Sequence, residues 1–172
     1  MRRPAKEEYA AYYEGYINLV EGDDPIKVME IQGVKTYELI NGLSEEQANH
    51  KYADGKWSVK EVIGHVMDTE RVMAYRALCF ARGEKQKLPG FEQDDYAAAA
   101  NFGKRRLPEI AAEFRLVRNA NIAMFKSFDE ATLNKIGNAN GKDTSVLAFL
   151  YIIAGHELHH IKIIKEKYLI RH

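Results

Sequence analysis

Near the C-terminal end the sequence reads Gly155-His156-Glu157-Leu158-His159-His160. His156 and His160 are four residues apart in a stretch of helical character from Ser145 to about Tyr168. Side chains at i and i+4 share one face of a helix, within reach of one metal ion. Two ligands rarely suffice. A third histidine, His65, lies in the strongly helical Lys60-Glu61-Val62-Ile63-Gly64-His65-Val66-Met67-Asp68-Thr69-Glu70. The spacing predicts a site of His65, His156 and His160 inside a helical bundle, with room left for water or substrate. Three imidazoles favour a divalent transition metal, Zn or Ni first and then Fe, Co or Mn, over Mg or Ca, which prefer oxygen ligands.

Other readings of the same residues stay open. A histidine on an apolar helix face is often a satisfied core residue, although an apolar core offers few partners for two imidazoles on one stripe. His156-Glu157-x-x-His160 also matches the zincin signature, with Glu157 in the general-base position. The extended form of that signature needs Gly and His where this chain has Ile163 and Glu166. Glu157 is otherwise expected as a solvated flank residue. Asp68 is a second candidate base or imidazole partner, and Glu61 is better explained as a capping residue. Arg76 is a candidate for binding an anionic substrate or for pairing with Asp68. Asp94 and Tyr96 are candidates for lining an entrance. His159 is expected at the rim and Cys79 in the core, while His50 and His172 have no motif context.

The elements that must position these residues are helices. Tyr9, Tyr12, Tyr13, Tyr16, Leu19 and Val20 fall at helical spacing, predicting a short N-terminal helix over about 6–20. Asp24-Pro25 reads as an N-cap followed by proline at the first helical position, so the first long helix runs from Pro25 to about Ile40, stopped by Asn41-Gly42. Ser44-Glu45-Glu46-Gln47 and Ser58-Val59-Lys60-Glu61 are capping boxes. The second opens a long helix that carries His65 and ends near Ala81, before Gly83. Residues 83–102 read as a long irregular connection. A third long helix is expected over about 103–127, and Gly137-Asn138-Ala139-Asn140-Gly141 as a loop. Asp143 or Thr144 then caps the last helix, where Phe149, Ile152, Ile153, His156, His160, Ile163 and Ile164 project in one direction. With no convincing strand pattern, the fold class is all-α, a four-helix bundle.

Composition narrows the function. The 172 residues fit one domain, with the bundle core at about 25–169, and show no internal repeat. Lys plus Arg and Asp plus Glu number 25 each, so no basic surplus draws the chain to nucleic acid or anionic lipid. No apolar run approaches a membrane span, and none follows Met1-Arg2-Arg3-Pro4 as a signal peptide would require. The one cysteine, Cys79, fits a reducing compartment. The expectation is a cytoplasmic protein acting on a small molecule, with neither nucleic acid nor membrane as partner.

Three stretches together resemble the DinB/YfiT-like family of metal-dependent enzymes. They are Trp57-Ser58-Val59-Lys60-Glu61-Val62-Ile63-Gly64-His65 with Asp68-Thr69-Glu70, the loop Leu88-Pro89-Gly90-Phe91, and Ala154-Gly155-His156-Glu157-Leu158-His159-His160. The resemblance covers about residues 25–169. It implies an up-down-down-up four-helix bundle, frequently a homodimer, with one divalent metal held by three histidines, which by motif are His65, His156 and His160. Relatives that use low-molecular-weight thiols, bacillithiol S-transferases and mycothiol-dependent isomerases, imply a thiol S-transferase reaction. There a coordinated thiol loses its proton and the thiolate attacks an electrophile. The alternatives are a metal-dependent hydrolase that uses water at the same position, with Glu157 or Asp68 as base, and a metal-binding helical bundle without catalysis.

Overall fold

The computed structural model describes residues 1–169; His172 lies outside them. Four long helices dominate: α2 (Pro25–Asn41), α4 (Val59–Ala81), α6 (Leu107–Lys126) and α8 (Val146–Ile163), the last continued by a wider π turn over Ile164–Tyr168. Shorter helices decorate them: α1 (Glu14–Leu19), α3 (Glu45–Asn49), α5 (Gln93–Ala100) and α7 (Glu130–Leu133). Helix α4 packs on α8 and α2 on α6, while α2–α8 and α4–α6 contacts close the ring. The order is up-down-down-up, and the long connection 82–106 crosses the bundle between the parallel α4 and α6.

Local chemistry places the helix starts. Asp24 accepts from the Lys27 N–H at 3.1 Å with Pro25 at the first helical position. At the start of α4, Ser58 Oγ accepts from the Glu61 N–H at 3.3 Å and Glu61 Oε2 accepts from the Ser58 N–H at 2.6 Å. This box lies two turns before His65. Ser145, rather than Asp143 or Thr144, caps α8 by accepting from the Ala148 N–H at 3.0 Å.

The structure departs from the sequence expectations at four further places. The stretch 137–141 is not a loop but the tip of a hairpin, β1 (Ile136–Ala139) with β2 (Lys142–Ser145), in register Ala139↔Lys142. Asn140 and Gly141 have φ of 53° and 74°, as a primed two-residue turn demands. Leu88 joins its edge, donating to Asn138 O and accepting from the Asn140 N–H, both at 2.9 Å. Residues 93–100 are helical, although the connection 83–102 reads as irregular. Helix α6 begins at Leu107 with Pro108 in its first turn, and Phe102–Lys104 is a separate 3-10 turn. The N-terminal segment is broken into two 3-10 turns, Lys6–Glu8 and Ala11–Tyr13, before α1, because Glu8 caps the Ala5 N–H and pairs with Arg2 at 2.6 Å.

The core is layered. One apolar cluster joins the N-terminal half of α8 (Phe149, Ile152) to the C-terminal half of α4 (Met73, Phe80), the N-terminal segment and Phe125. A second joins the N-terminal half of α4 (Ile63, Met67) to Ile110, Phe114 and Ile164. Between them, each long helix contributes buried polar groups: Gln32 and Thr36 from α2, Thr69 and Glu70 from α4, Arg118 from α6, His156 and Glu157 from α8. Among the described residues, Val146–Tyr168 has the length and mean hydropathy of a membrane span, but two-thirds of its most apolar window is buried in the bundle. Core packing accounts for its apolar character.

Candidate metal centre

His65, His156 and His160 meet in that polar layer. The Nε2 atoms of His65 and His156 are 3.0 Å apart, those of His160 and His156 are 3.1 Å apart, and one ring nitrogen from each residue lies within 4.8 Å of the others. His65 and His156 are 5% and 6% exposed, and His160 is half-buried. Thr69, one turn after His65, has its Oγ1 3.5 Å from His65 Nδ1. A proton on Nδ1 directed at Thr69 leaves the lone pair of Nε2 facing the other two rings.

These contacts are frustrated for neutral imidazoles. Each ring has one N–H, and His156 Nε2 stands at about 3 Å from both neighbours. That nitrogen offers either one proton or one lone pair, so it forms a good hydrogen bond with one neighbour and leaves the other close contact unmet. A cation between the rings satisfies all three at once. The two separations of about 3 Å are those of nitrogens that share one small ion such as Zn, and the third pair closes within 4.8 Å. The rings are also held in the state that binds metal. Burial pushes His65 down to about 4 against a weak opposing pull from Asp94, and pushes His160 down to about 3, helped by His65 and His159. Burial, reinforced by the neighbouring histidines, takes His156 well below its ordinary value. All three are therefore unprotonated at neutral pH.

Glycine precedes two of these histidines for steric reasons. A Cβ at Gly64 would lie 2.1 Å from the Phe102 ring, and one at Gly155 would lie 1.9 Å from Tyr16 O. The second approach lets α1 close over α8, so that Tyr16 packs edge-on to His156 at 5.3 Å and to His159 at 5.2 Å. Gly155→Ala is expected to force α1 from its seat and lower stability by roughly 1–3 kcal/mol, the usual overpacking cost. Urea unfolding of the variant measures it, and an unchanged midpoint would contradict the close approach.

The other candidate residues are more dispersed. Glu157, expected on a solvated flank or as a base, is fully buried and faces α6, where its Oε2 is 2.7 Å from Arg118 Nη1. Asp68 is half-buried, pairs with Arg71 at 3.2 Å, and is raised above its ordinary range by burial. Arg76 is 4% exposed and pairs with no carboxylate among the described residues. It donates to Pro89 O at 2.6 Å and lies 5.8 Å from the Phe91 ring, which pins the loop Leu88–Phe91. Tyr96 is exposed and stacks on Phe91. Asp94 is exposed in the first turn of α5 and lines, with His160, a cavity of about 340 Å³ whose other walls include Tyr52, Trp57 and Tyr168. His159 is at the rim, as expected. Sequence reading gave no role to three residues that contact the histidines: Thr69, Trp57, whose ring centroid is 4.8 Å from that of His65, and Tyr16. Thr69 had a signal, its i+4 spacing from His65 on one helix face; the other two had none.

The sequence from residue 30 to 164 matches the model of the DinB superfamily, and the chain belongs to that family. A protein of Oceanobacillus iheyensis named "Putative metal-dependent hydrolase" is 23% identical over 145 residues, covering 81% of each chain. A protein of the same name from Geobacillus thermodenitrificans is 27% identical over 128 residues, 70% of this chain and 69% of the relative. Among solved structures, YfiT from Bacillus subtilis, described as "a probable metal-dependent hydrolase with an unusual four-helix bundle topology", superposes with a TM-score of 0.73. That match is at 15% identity and covers 96% of this chain and 91% of YfiT, so the likeness is one of fold.

Proposed function

We propose that the chain is a single-metal enzyme in which His65, His156 and His160 hold one divalent transition-metal ion facing a small-molecule cavity. The observation that carries this reading is the convergence of three neutral imidazoles whose Nε2 atoms crowd around that of His156, closer than one proton or one lone pair there can satisfy. When bound, such an ion acts as a Lewis acid, lowering the pKa of a coordinated nucleophile or polarising a substrate oxygen. The chain supplies three neutral ligands, a hydroxyl at Thr69 beside His65 Nδ1, and a cavity with aromatic walls. Hydrolysis is the first reading, supported by the names of the relatives and by Asp94, the one carboxylate among the described residues that lines the cavity, where it can serve water as a base. Thiol S-transfer is the second. The observation that favours it is the placement of Glu157 and Asp68, which are engaged with Arg118 and Arg71 and so are not free to serve water as a base. A low-molecular-weight thiol ionises far more readily than water and needs less help.

Protein purified without an affinity tag and loaded with Zn or Ni separates these readings. Esters and amides probe hydrolysis, and a thiol panel with an electrophilic acceptor probes transfer. The reading predicts turnover in one set that disappears in His65→Ala; equal turnover in that variant would overturn it. A cytoplasmic setting and a homodimer belong to the same reading, and light scattering tests the second.

A further inference from the structure

The polar layer holds a second group of charges, centred on Arg118 rather than on the three histidines. Arg118 is 1% exposed. Its Nη2 donates to Glu70 Oε2 at 2.8 Å and its Nε to Glu70 Oε1 at 3.1 Å, while Nη1 donates to Met29 O at 3.0 Å and forms an ion pair with Glu157 Oε2 at 2.7 Å that lacks hydrogen-bond alignment. Asn121 donates to Glu70 at 3.0 Å. The stem of Arg118 packs where Gly33 leaves room, 3.0 Å from the position a Cβ would take. One guanidinium thus ties α2, α4, α6 and α8 together.

Its partners are chain neighbours of the residues that build the histidine cluster. Glu157 follows His156, and Glu70 follows Thr69. Successive residues on a helix point about 100° apart, so α8 presents His156 to α4 and Glu157 to Arg118, and α4 presents Thr69 and His65 to α8 and Glu70 to Arg118. Neither helix can turn about its axis to improve one set of contacts without breaking the other. A rotation of about 10° swings an atom roughly 6 Å from the helix axis by about 1 Å, while metal–ligand distances tolerate only about 0.2 Å. Buried ion clusters are also poor stabilisers compared with apolar side chains of similar volume, and the core already has two apolar clusters.

We propose that Arg118 is a positioning residue for the three-histidine centre, fixing the rotation and separation of α4 and α8 through Glu70 and Glu157. The inference rests on the metal reading above.

Two variants of the full chain test it: Arg118→Lys, which keeps the charge but loses the planar fork, and the triple Glu70→Leu/Arg118→Met/Glu157→Leu, which strands no buried charge. The metal-free proteins are melted by circular dichroism, then titrated with Co²⁺ against a competing chelator while the d–d absorption is recorded. Both variants should fold, bind Co²⁺ about 10–100-fold more weakly, as loss of an outer-shell partner does, and show a d–d band changed in shape and intensity. A folded variant with the affinity and band of the parent overturns the inference, and Arg118→Lys decides alone if the triple variant does not fold. If neither folds, the three groups are a stability element and the inference also fails. A parent protein that takes up no Co²⁺ refutes the metal reading instead, a distinct result.

Discussion

His156→Ala should abolish metal binding and with it the metal-dependent rise in thermal stability. His156 Nε2 is the nitrogen that contacts both other rings, at 3.0 and 3.1 Å, so its removal leaves His65 and His160 without the shared neighbour that brings them together. The affinity loss should exceed the roughly 10–100-fold that removal of an outer-shell partner costs. For the parent, metal at a thousand times its Kd adds about 4 kcal/mol to stability, and the variant should show none of it. The metal-free melting temperature is a weaker guide, because the substitution removes a buried ring and a frustrated contact together. His159→Ala serves as the control, since its ring packs on Tyr16 and lies outside the cluster. Melting curves with and without added Zn measure both, and a metal shift retained in His156→Ala would contradict the assignment.

Acid should destabilise the metal-free protein well above the range in which carboxylates usually titrate. In the unfolded chain each histidine takes up a proton near pH 6.5, whereas in the fold burial holds His65 to about 4 and His160 to about 3. Between those limits the unfolded state binds more protons, so stability is full above about pH 6.5 and falls as the pH drops towards 4. His65 alone accounts for up to about 3 kcal/mol at the lower end. Glu157 works in the opposite sense, because burial raises its carboxyl above the ordinary range. The histidine contribution is therefore read as the difference between the parent and His65→Ala in urea midpoints from pH 7.5 to 4.5. A parent curve as flat as that of the variant would contradict the depressed values. Metal should delay the loss and then be released, since protons compete for the same nitrogens.

The histidine arrangement was legible because it obeys a local rule. Spacing of four on one face of a long apolar helix is visible without a fold, and the capping boxes at Ser44 and Ser58 and the Asp24-Pro25 start place the helices to within a residue or two. The third histidine, His65, was read from its place in a second strongly helical stretch, and the family motifs name the same residue. Asn140-Gly141 was a signal that went unread, since Asn-Gly between short polar strands is a hairpin turn. The role of Glu157 was not legible in the sequence. Its partner Arg118 is on a helix with no motif, and a charged residue about 80° from the apolar stripe of a helix reads as solvent-facing until a second layer of helices is known to cover that flank. The same holds for Arg76, which reaches Met73 on its own helix but also a loop carbonyl, Pro89 O, that nothing in the sequence places beside it.

The central claim is that one metal ion sits among three imidazoles. Anomalous diffraction from crystals of the metal-loaded protein, recorded at the absorption edge of the bound element, tests it most directly. The account predicts a single peak about 2.0–2.1 Å from the Nε2 atoms of His65, His156 and His160. No peak there, or a peak bonded to fewer than all three, would contradict it.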